Sequence, residues 1–166
     1  IKVIAPVREW SMGRDEEIEY AEKRGIPVPA KKDFPYSVDD NMWGMTWESG
    51  EIEDPAQIPQ YSKFLTTYTL PENAPDQPEY VKLKFEKGIP VALNGKRMKL
   101  SQLIMALNKI AGRHGVGILT HIEDRIMGLK VRGVYEMPAA HTIIEAHRNL
   151  EKYVSTRMLN EVKSML

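Results

Sequence analysis

The sequence lacks cysteine, an excess of charge of either sign and any long apolar run. None of its 166 residues is cysteine, which excludes disulfide bonds and thiolate metal sites. The 23 Lys and Arg residues balance the 23 Asp and Glu residues, so no basic footprint indicates nucleic acid or an anionic membrane as a partner. No apolar run approaches the ~20 residues of a membrane span, and no signal peptide opens the chain. The default expectation is a cytoplasmic protein.

Both ends of the chain are apolar. The sequence begins in the strand-like run 1–5 without an initiator methionine and ends in Met165-Leu166. Because natural termini are usually polar and frayed, we expect a fragment cut from a longer protein. Its length allows one domain, or one domain plus a piece of another.

The first half of the chain has only short ordered patterns. Residues 1–5 are predicted to form a buried strand, and Arg14–Arg24 a helix with acidic residues in its first turn, where the helix dipole favours them. This β-α order indicates the tail of an α/β domain. Residues 36–46 have no clear period, and five prolines between residues 55 and 78 predict an irregular connector.

Regular alternation begins at Tyr80. Apolar residues at every second position on either side of Lys87-Gly88 predict a hairpin, and Asn94-Gly95 indicates a second tight turn. The other predicted elements are a helix over 100–111, strands over 116–120 and 126–132, a helix over 138–154 and a helix after Ser155-Thr156. The inward residues of the 138–154 helix are Ile143, Ile144, His147 and Leu150. The expected fold class is α+β, an antiparallel sheet with packed helices.

The segment from Gly112 to Pro138 carries the strongest candidate for a binding site. Between Glu123 and Tyr135, apolar residues alternate along 126–132, which is the pattern of a strand with one buried face. Because a strand holds its ends apart, the two side chains would flank a rigid element suited to a small polar ligand. The residues that would join them are Lys130 and Arg132.

A second interpretation leaves Glu123 without a ligand. In that interpretation the carboxylate pairs with Arg125 or Lys130 on a surface that faces water, as polar residues on one face of a strand usually do. The residues alone leave both interpretations open.

Three other polar or glycine-rich groups have a structural interpretation beside a functional one. The polar residues of 37–41 could bind a ligand or cation, but the same residue types form turns and helix caps. His141 and Glu145 lie one helical turn apart, and no third metal ligand accompanies them. The glycines within 112–117 follow a helix, which is the wrong polarity for a phosphate cradle, so they indicate a turn.

Six segments in order along the chain resemble argininosuccinate synthase. Each is a weak match alone, but together they cover almost the whole chain. They are KVIAPVREW (2–10), GRDEEIEYAEKRGIPVP (13–29), YSVDDNMWG (36–44), FEKGIPVALNG (85–95), NKIAGRHGVG (108–117) and GLKVRGVYEMP (128–138). The sequence is therefore similar to that family.

The resemblance implies an ATP-dependent ligase of arginine biosynthesis. In that family the ureido oxygen of citrulline attacks the α-phosphate of ATP, pyrophosphate leaves, and the amine of aspartate then displaces AMP. ATP, with Mg, and aspartate are held by an N-terminal domain whose pyrophosphate loop is absent here. The resemblance thus implies that residues 1–30 are the tail of this nucleotide-binding domain. Residues 31–166 would be a C-terminally truncated synthetase domain that binds citrulline.

The resemblance also assigns four citrulline contacts. The family's first serine falls on Ser37, and its second falls on Thr46, which keeps the hydroxyl; its glutamate falls on Glu123 and its tyrosine on Tyr135. A carboxylate pairs with the α-ammonium of an amino acid, and hydroxyls bond its polar groups. No catalytic, cofactor-binding or metal-binding residue is expected in this chain. Positions that depart from the family's usual residues are Ile118, Asp124, Val131 and Met137.

A homo-oligomer is a further implication of the resemblance, since the family forms tetramers. We expect the chain to be at least a dimer that uses the apolar residues of 156–166. Without the nucleotide-binding domain, the chain alone is expected to be inactive. The alternative is a non-catalytic amino-acid-binding or dimerisation module.

Overall fold

The computed structural model describes residues 2–28 and 34–165. This described part contains five helices and two antiparallel sheets, so the predicted α+β fold class is confirmed. The chain divides into two compact units, residues 1–37 and residues 38–166. The boundary expected at residue 30, and the origin of the first segment in a nucleotide-binding domain, stay predictions.

The first unit contains helices α1 (Pro6–Trp10) and α2 (Arg14–Lys23). Helix α2 confirms the helix predicted from the sequence. It ends before Gly25, whose φ of 64° is the left-handed conformation that commonly terminates helices. The inward stripe of α2 consists of Ile18 and Ala21, which are buried.

The strand predicted over residues 1–5 is wrong where the structure describes it, at residues 2–5. These residues are irregular, Val3 and Ile4 are exposed, and a helix begins at Pro6. A short apolar run becomes a strand only when another strand takes up its backbone hydrogen bonds. Neither sheet of the described residues includes this run.

From residue 37 onward the described chain forms seven strands and three helices. In chain order they are β1 (Ser37–Asp39), β2 (Met45–Glu48), β3 (Leu83–Glu86), β4 (Ile89–Leu93), β5 (Lys96–Arg97), α3 (Leu100–Arg113), β6 (Ile118–Asp124), β7 (Lys130–Glu136), α4 (Pro138–Val154) and α5 (Arg157–Met165).

A four-stranded sheet in the order β1-β2-β7-β6 carries the candidate site. Strand β7 is central and pairs antiparallel with both β2 and β6. Residues 36–46, which have no clear period in the sequence, contribute two strands to this sheet. They become ordered because β2 pairs with β7, a partner far along the chain, and this pairing leaves no local signal.

The second sheet confirms both predicted hairpins. Strands β3, β4 and β5 are successive antiparallel neighbours joined by the turns at Lys87-Gly88 and Asn94-Gly95. The predicted helices also appear, as α3 and α4. One hydrophobic core lies among this sheet and these two helices, and its buried residues are Leu93, Leu103, Ile104, Leu107, Ala139 and Ile143.

Helix α4 buries less of its length than the sequence indicates. Ile143 is buried as predicted, but Ile144 and Leu150 are 37% and 42% exposed. His147 is half-buried, with its ring 5.4 Å from that of Phe85. The buried residues of α4 lie in its first two turns, so its second half has little to pack against. None of the helices within 2–28 and 34–165 combines the length and apolarity needed to cross a bilayer.

The strands predicted over 116–120 and 126–132 are displaced along the chain. Residues 126–129 instead form the turn between β6 and β7. The amide of Arg125 donates to the carbonyl of Leu129 at 3.1 Å, and Gly128 adopts a φ of 79°. The apolar side chains in this turn are exposed, so the alternation over 126–132 does not mark a buried face.

An irregular connector joins β2 to β3 and covers one face of the first sheet, as its prolines predict. It contains the 3-10 turns Gly50–Ile52, Tyr61–Lys63 and Pro71–Asn73. The buried ring of Phe64 lies 5.5 Å from that of Trp47 on β2. Ile52 of the connector and Val134 of β7 are also fully buried.

The carboxylate of Glu136 holds the connector against the sheet. This residue ends β7 and is 1% exposed. Its Oε1 accepts the indole N–H of Trp47 at 2.6 Å, and its Oε2 accepts the backbone N–H of Thr67 at 2.6 Å and of Tyr68 at 2.8 Å. The amide of Thr66 and the hydroxyl of Thr67 also donate to it. These bonds compensate the burial of a charge.

Arg132 is a second buried charge on the same face of β7. Its guanidinium donates to the backbone carbonyl of Gln57, and to that of Asp54 at 3.0 Å. Side chains at every second position of a strand share a face, so Arg132, Val134 and Glu136 all point toward the connector. The opposite face of β7 stays open.

Helix α5 begins where the sequence predicts. The hydroxyl of Thr156 accepts the backbone N–H of Leu159 at 3.3 Å, which caps the helix. The large apolar residues of α5 are exposed, and they are Met158, Leu159, Val162 and Met165. Contact of this segment with a second copy of the chain stays a prediction.

We predict that Glu136→Gln lowers the free energy of unfolding by about 1.5–3 kcal/mol, the usual contribution of hydrogen bonds to a charged group. The amide nitrogen is itself a donor and would face backbone N–H groups. Denaturant unfolding followed by circular dichroism measures the change. The control is Asp124→Asn, since that side chain is 76% exposed and its ion pair contributes about 1 kcal/mol or less. Equal effects of the two substitutions would contradict the anchoring role of Glu136.

Candidate functional site

Three strands bring the predicted site residues of the second unit onto one face of the sheet. Thr46 of β2 pairs in register with Tyr135 of β7, and Glu123 of β6 pairs with Val131 of β7. Because alternate residues of a strand share a face, all four side chains belong to the face opposite the connector. Pairing thus assembles residues that lie far apart in the sequence.

The hydroxyl of Tyr135 donates a hydrogen bond to Oε1 of Glu123. The phenol reaches this carboxylate by lying along its own strand, across Gly133. A Cβ atom at Gly133 would stand 2.7 Å from the phenol oxygen and 2.8 Å from the ring atom Cε2 of Tyr135. Only a glycine leaves room for the ring there, as glycines inside strands commonly do where another group approaches closely.

The geometry differs from the one inferred from the sequence. Glu123 and Tyr135 do not flank the two ends of one strand; they lie on neighbouring strands and bond directly to each other. Lys130 and Arg132 do not join them. Lys130 pairs with Asp124 at the end of the hairpin. Arg132 lies an odd number of residues from Tyr135 along β7, so its side chain points to the opposite face of the sheet.

Of the two ion pairs predicted for Glu123, the structure contains the one with Arg125 and not the one with Lys130. Nη2 of Arg125 lies 3.7 Å from Oε2 of Glu123 and 4.0 Å from Oε2 of Glu48. The guanidinium therefore lies between two carboxylates and is half-exposed. The contact with Glu123 is long for a hydrogen bond, so Oε2 keeps acceptor capacity for another donor.

The phenol of Tyr135 stays protonated at neutral pH. Burial, the hydrogen bond to Glu123 and the charges of Glu123 and Glu48 raise the pKa of Tyr135 from 10.0 to about 12, while the charge of Arg125 lowers it slightly. The hydroxyl is therefore a permanent donor to Glu123 and keeps oxygen lone pairs for a ligand. Together the two groups present acceptors for a cationic group.

Sequence reasoning missed three neighbours of this pair. The ring of His121 stacks on that of Tyr135 with centroids 5.0 Å apart and planes 4° from parallel. Gly133 lies beneath the phenol. Glu48, at the end of β2, acts on Tyr135 through its charge. A glycine inside a strand pattern was the available signal for Gly133. His121 lies two positions before Glu123 and shares its face, which the correct bounds of β6 would have revealed.

Ser37 opens β1 and belongs to the first unit. Its role as a ligand contact stays a prediction. The neighbouring residue Asn41 has the structural role that was weighed against binding. Its Oδ1 accepts the backbone N–H of Trp43 at 2.9 Å and of Gly44 at 3.1 Å, which is the turn that Asx side chains commonly form.

The glycines of 112–117 pack against neighbouring residues, and this geometry does not support a phosphate cradle. Of the residues in 2–28 and 34–165, no three His, Asp or Glu side chains are grouped as metal ligands. Gly112 lies in the last turn of α3 and Gly115 and Gly117 follow the helix. Cβ atoms at Gly112 and Gly117 would collide with Thr67 and Pro138 respectively. These glycines serve close packing, so the turn interpretation is supported. A phosphate cradle does not arise from them, and no step is assigned to ATP in this chain.

One antiparallel sheet, covered on one face by the connector and carrying a carboxylate and a phenol on the other, and a second sheet packed on two helices together define an α+β domain. Residues 36–166 match the family model described as the arginosuccinate synthase C-terminal domain. The chain belongs to the argininosuccinate synthase family.

Curated relatives agree with this membership. The chain is 51% identical over its whole length to an argininosuccinate synthase of Halalkalibacterium halodurans, of which it spans 40%. It is 53% identical over 95% of its length to that of Rubrobacter xylanophilus, spanning 38% of the relative. It is 52% identical over 99% of its length to that of Pyrococcus furiosus, spanning 39%. The chain thus corresponds to about two fifths of these proteins.

We predict that Tyr135 titrates near pH 12 in the folded chain, and that Gly133→Ala moves this midpoint toward 10. The added methyl group displaces the phenol from Glu123. Because the pKa of Tyr135 is higher in the folded chain than in the unfolded chain, the protonated phenol stabilises the folded state. This contribution to the free energy of unfolding is fully present below pH 10 and is lost as the pH rises through 12. Carbon-13 NMR of labelled tyrosines follows the titration, with Tyr135→Phe identifying the signal. A midpoint near 10 in the unaltered chain would contradict the hydrogen bond.

Proposed function

We propose that the chain is the citrulline-binding part of an ATP-dependent ligase that joins citrulline to aspartate. In the proposed reaction the ureido oxygen of citrulline attacks the α-phosphate of ATP and pyrophosphate leaves. The amine of aspartate then attacks the resulting citrulline-adenylate, AMP leaves, and argininosuccinate forms. The observation that carries the proposal is the Glu123–Tyr135 pair on an open sheet face of a chain in this family.

The chemistry of the pair suits the α-ammonium group of citrulline. Oε1 of Glu123 accepts the hydrogen bond of the Tyr135 hydroxyl, and among the described residues Oε2 has only the long contact with Arg125. An ammonium group carries three donors and forms charge-assisted hydrogen bonds with such a carboxylate. Thr46, which pairs with Tyr135 in register, is proposed to bond another polar group of the ligand. Ser37 is proposed as a fourth contact on the resemblance alone.

ATP, Mg and aspartate belong, in this proposal, to other parts of a complete ligase. The chain spans about 40% of the relatives' length, and its described residues offer no cradle for phosphates. This chain is therefore assigned the orientation of citrulline, and no catalytic residue is assigned to it. We further propose that the complete ligase is a cytoplasmic homo-oligomer.

A chimera tests the proposal in a complete protein. The chain replaces the matching segment of the Halalkalibacterium halodurans relative, whose unmodified form is the positive control. We expect the chimera to bind citrulline and to release pyrophosphate when citrulline, aspartate and ATP are present. Citrulline binding without pyrophosphate release would instead favour a non-catalytic amino-acid-binding module.

Glu123→Ala in this chimera is predicted to weaken citrulline binding about ten- to a hundredfold. It removes a charge-assisted hydrogen bond of about 1.5–3 kcal/mol. Titration calorimetry measures the dissociation constant. Asp124→Asn is the matched control, since that neighbouring carboxylate is exposed and pairs with Lys130, and it is expected to leave the constant unchanged. If Glu123→Ala also leaves the constant unchanged, Glu123 does not contact citrulline and serves only its contacts with Tyr135 and Arg125.

The chain by itself is predicted to release no pyrophosphate above background from citrulline, aspartate and ATP. Catalysis requires ATP held in line with the ureido oxygen, and the proposal assigns ATP to other parts of the ligase because the glycines of 112–117 are filled by packing contacts. A coupled pyrophosphate assay with the chimera as the active reference measures this. Turnover by the pure chain would contradict the assignment of ATP to other parts of the ligase.

A further inference from the structure

The imidazole of His121 lies flat against the phenol of Tyr135. The ring centroids are 5.0 Å apart and the planes deviate from parallel by 4°. His121 pairs in register with Gly133, the glycine over which the phenol lies. The histidine therefore stands on the β6 side of the phenol, on the same strand as Glu123.

The charges of two carboxylates, Glu123 and Glu48, act on the phenol of Tyr135. It bonds Glu123 on β6, while Glu48 on β2 is close enough for its charge to act on Tyr135. Glu48 follows Thr46 by two residues and so shares its face of the sheet. A glycine beneath the ring supplies no side chain that would fix its tilt. The ring of His121 is the neighbouring side chain in stacking contact with the phenol on the β6 side.

We propose that His121 is a positioning residue that holds the Tyr135 hydroxyl on Glu123. The flat contact attracts the phenol toward β6, where Glu123 lies, and away from β2. Stacked ring pairs contribute beyond the area they bury, and a side chain held by a neighbouring ring loses less freedom when a ligand binds. The inference rests on the proposed function, since it concerns how the same site is prepared for citrulline.

A positioning role requires a flat ring and does not require a nitrogen atom. His121→Ala is therefore expected to raise the KM for citrulline of the chimera about two- to tenfold, the range that stacked pairs contribute. The KM for aspartate and for ATP is expected to stay unchanged. His121→Phe is expected to restore the KM for citrulline to within about twofold. Equal loss in both variants would mean that an imidazole nitrogen contacts the ligand, and would overturn the proposal.

A double-mutant cycle tests whether His121 acts through the hydroxyl. In the Tyr135→Phe background there is no hydroxyl to position, so His121→Ala is expected to add no further change in the KM for citrulline. Additive losses would overturn the proposal, since they would mean that the two residues act independently. Ile122→Ala is the control, because this exposed residue of the same strand has the opposite parity and faces away from the site.

A measurement on the chain itself separates this inference from the proposed function. The tyrosine carbon-13 signal reports the Tyr135 midpoint, which is expected to move toward 10 in His121→Ala and to stay near 12 in His121→Phe. This outcome would support the positioning role even if the chimera did not bind citrulline, which would refute only the proposed function. An unchanged midpoint in His121→Ala would overturn the positioning role while leaving citrulline binding intact.

Discussion

The buried carboxylate of Glu136 is the interaction on which the second unit depends. One side chain at the end of β7 accepts hydrogen bonds from the indole of Trp47 and from consecutive residues of the connector, Thr66, Thr67 and Tyr68. It thus joins two strands and an irregular segment at a single point. Removing the charge leaves donors without an acceptor, which costs more than the net gain of making the bonds. A proline-rich connector acquires a defined path in this way without regular structure.

Strand β7 uses its two faces for different purposes. Arg132, Val134 and Glu136 point to the connector and are buried, whereas Gly133 and Tyr135, at the intervening positions, belong to the candidate site. The strict two-residue period of a strand makes this division automatic. Because Glu136 fixes the end of β7, it also fixes the position of Tyr135, the residue that precedes it. Stability and the proposed binding function are therefore coupled through one backbone segment.

The chemistry of the site follows from how the phenol is surrounded. Gly133 leaves space beneath the ring, His121 stacks on one side of it, and Glu123 accepts the hydrogen bond of the hydroxyl. Burial and nearby carboxylates keep the phenol neutral by raising the pKa of Tyr135 to about 12. Under the proposed function, Glu123 accepts hydrogen bonds from a cationic group of the ligand. In that proposal the acceptor groups are already oriented before binding, which is preorganisation.

The sequence by itself determined the α+β class, helices α2, α3 and α4 and the hairpin around Lys87-Gly88, and it singled out Glu123 and Tyr135 as candidate site residues. These features have signals confined to short windows, such as an apolar stripe, a turn pair or a motif. Tertiary structure decided the strands β1 and β2, the true bounds of β6 and β7, the burial of Glu136 and the contact of His121 with Tyr135. Strands β1 and β2 and the burial of Glu136 depend on partners far along the chain, whereas the bounds of β6 and β7 and the His121 contact depend on cross-strand pairing within one hairpin. Strand pairing and hydrogen bonds to buried charges are satisfied across space and leave no local periodicity.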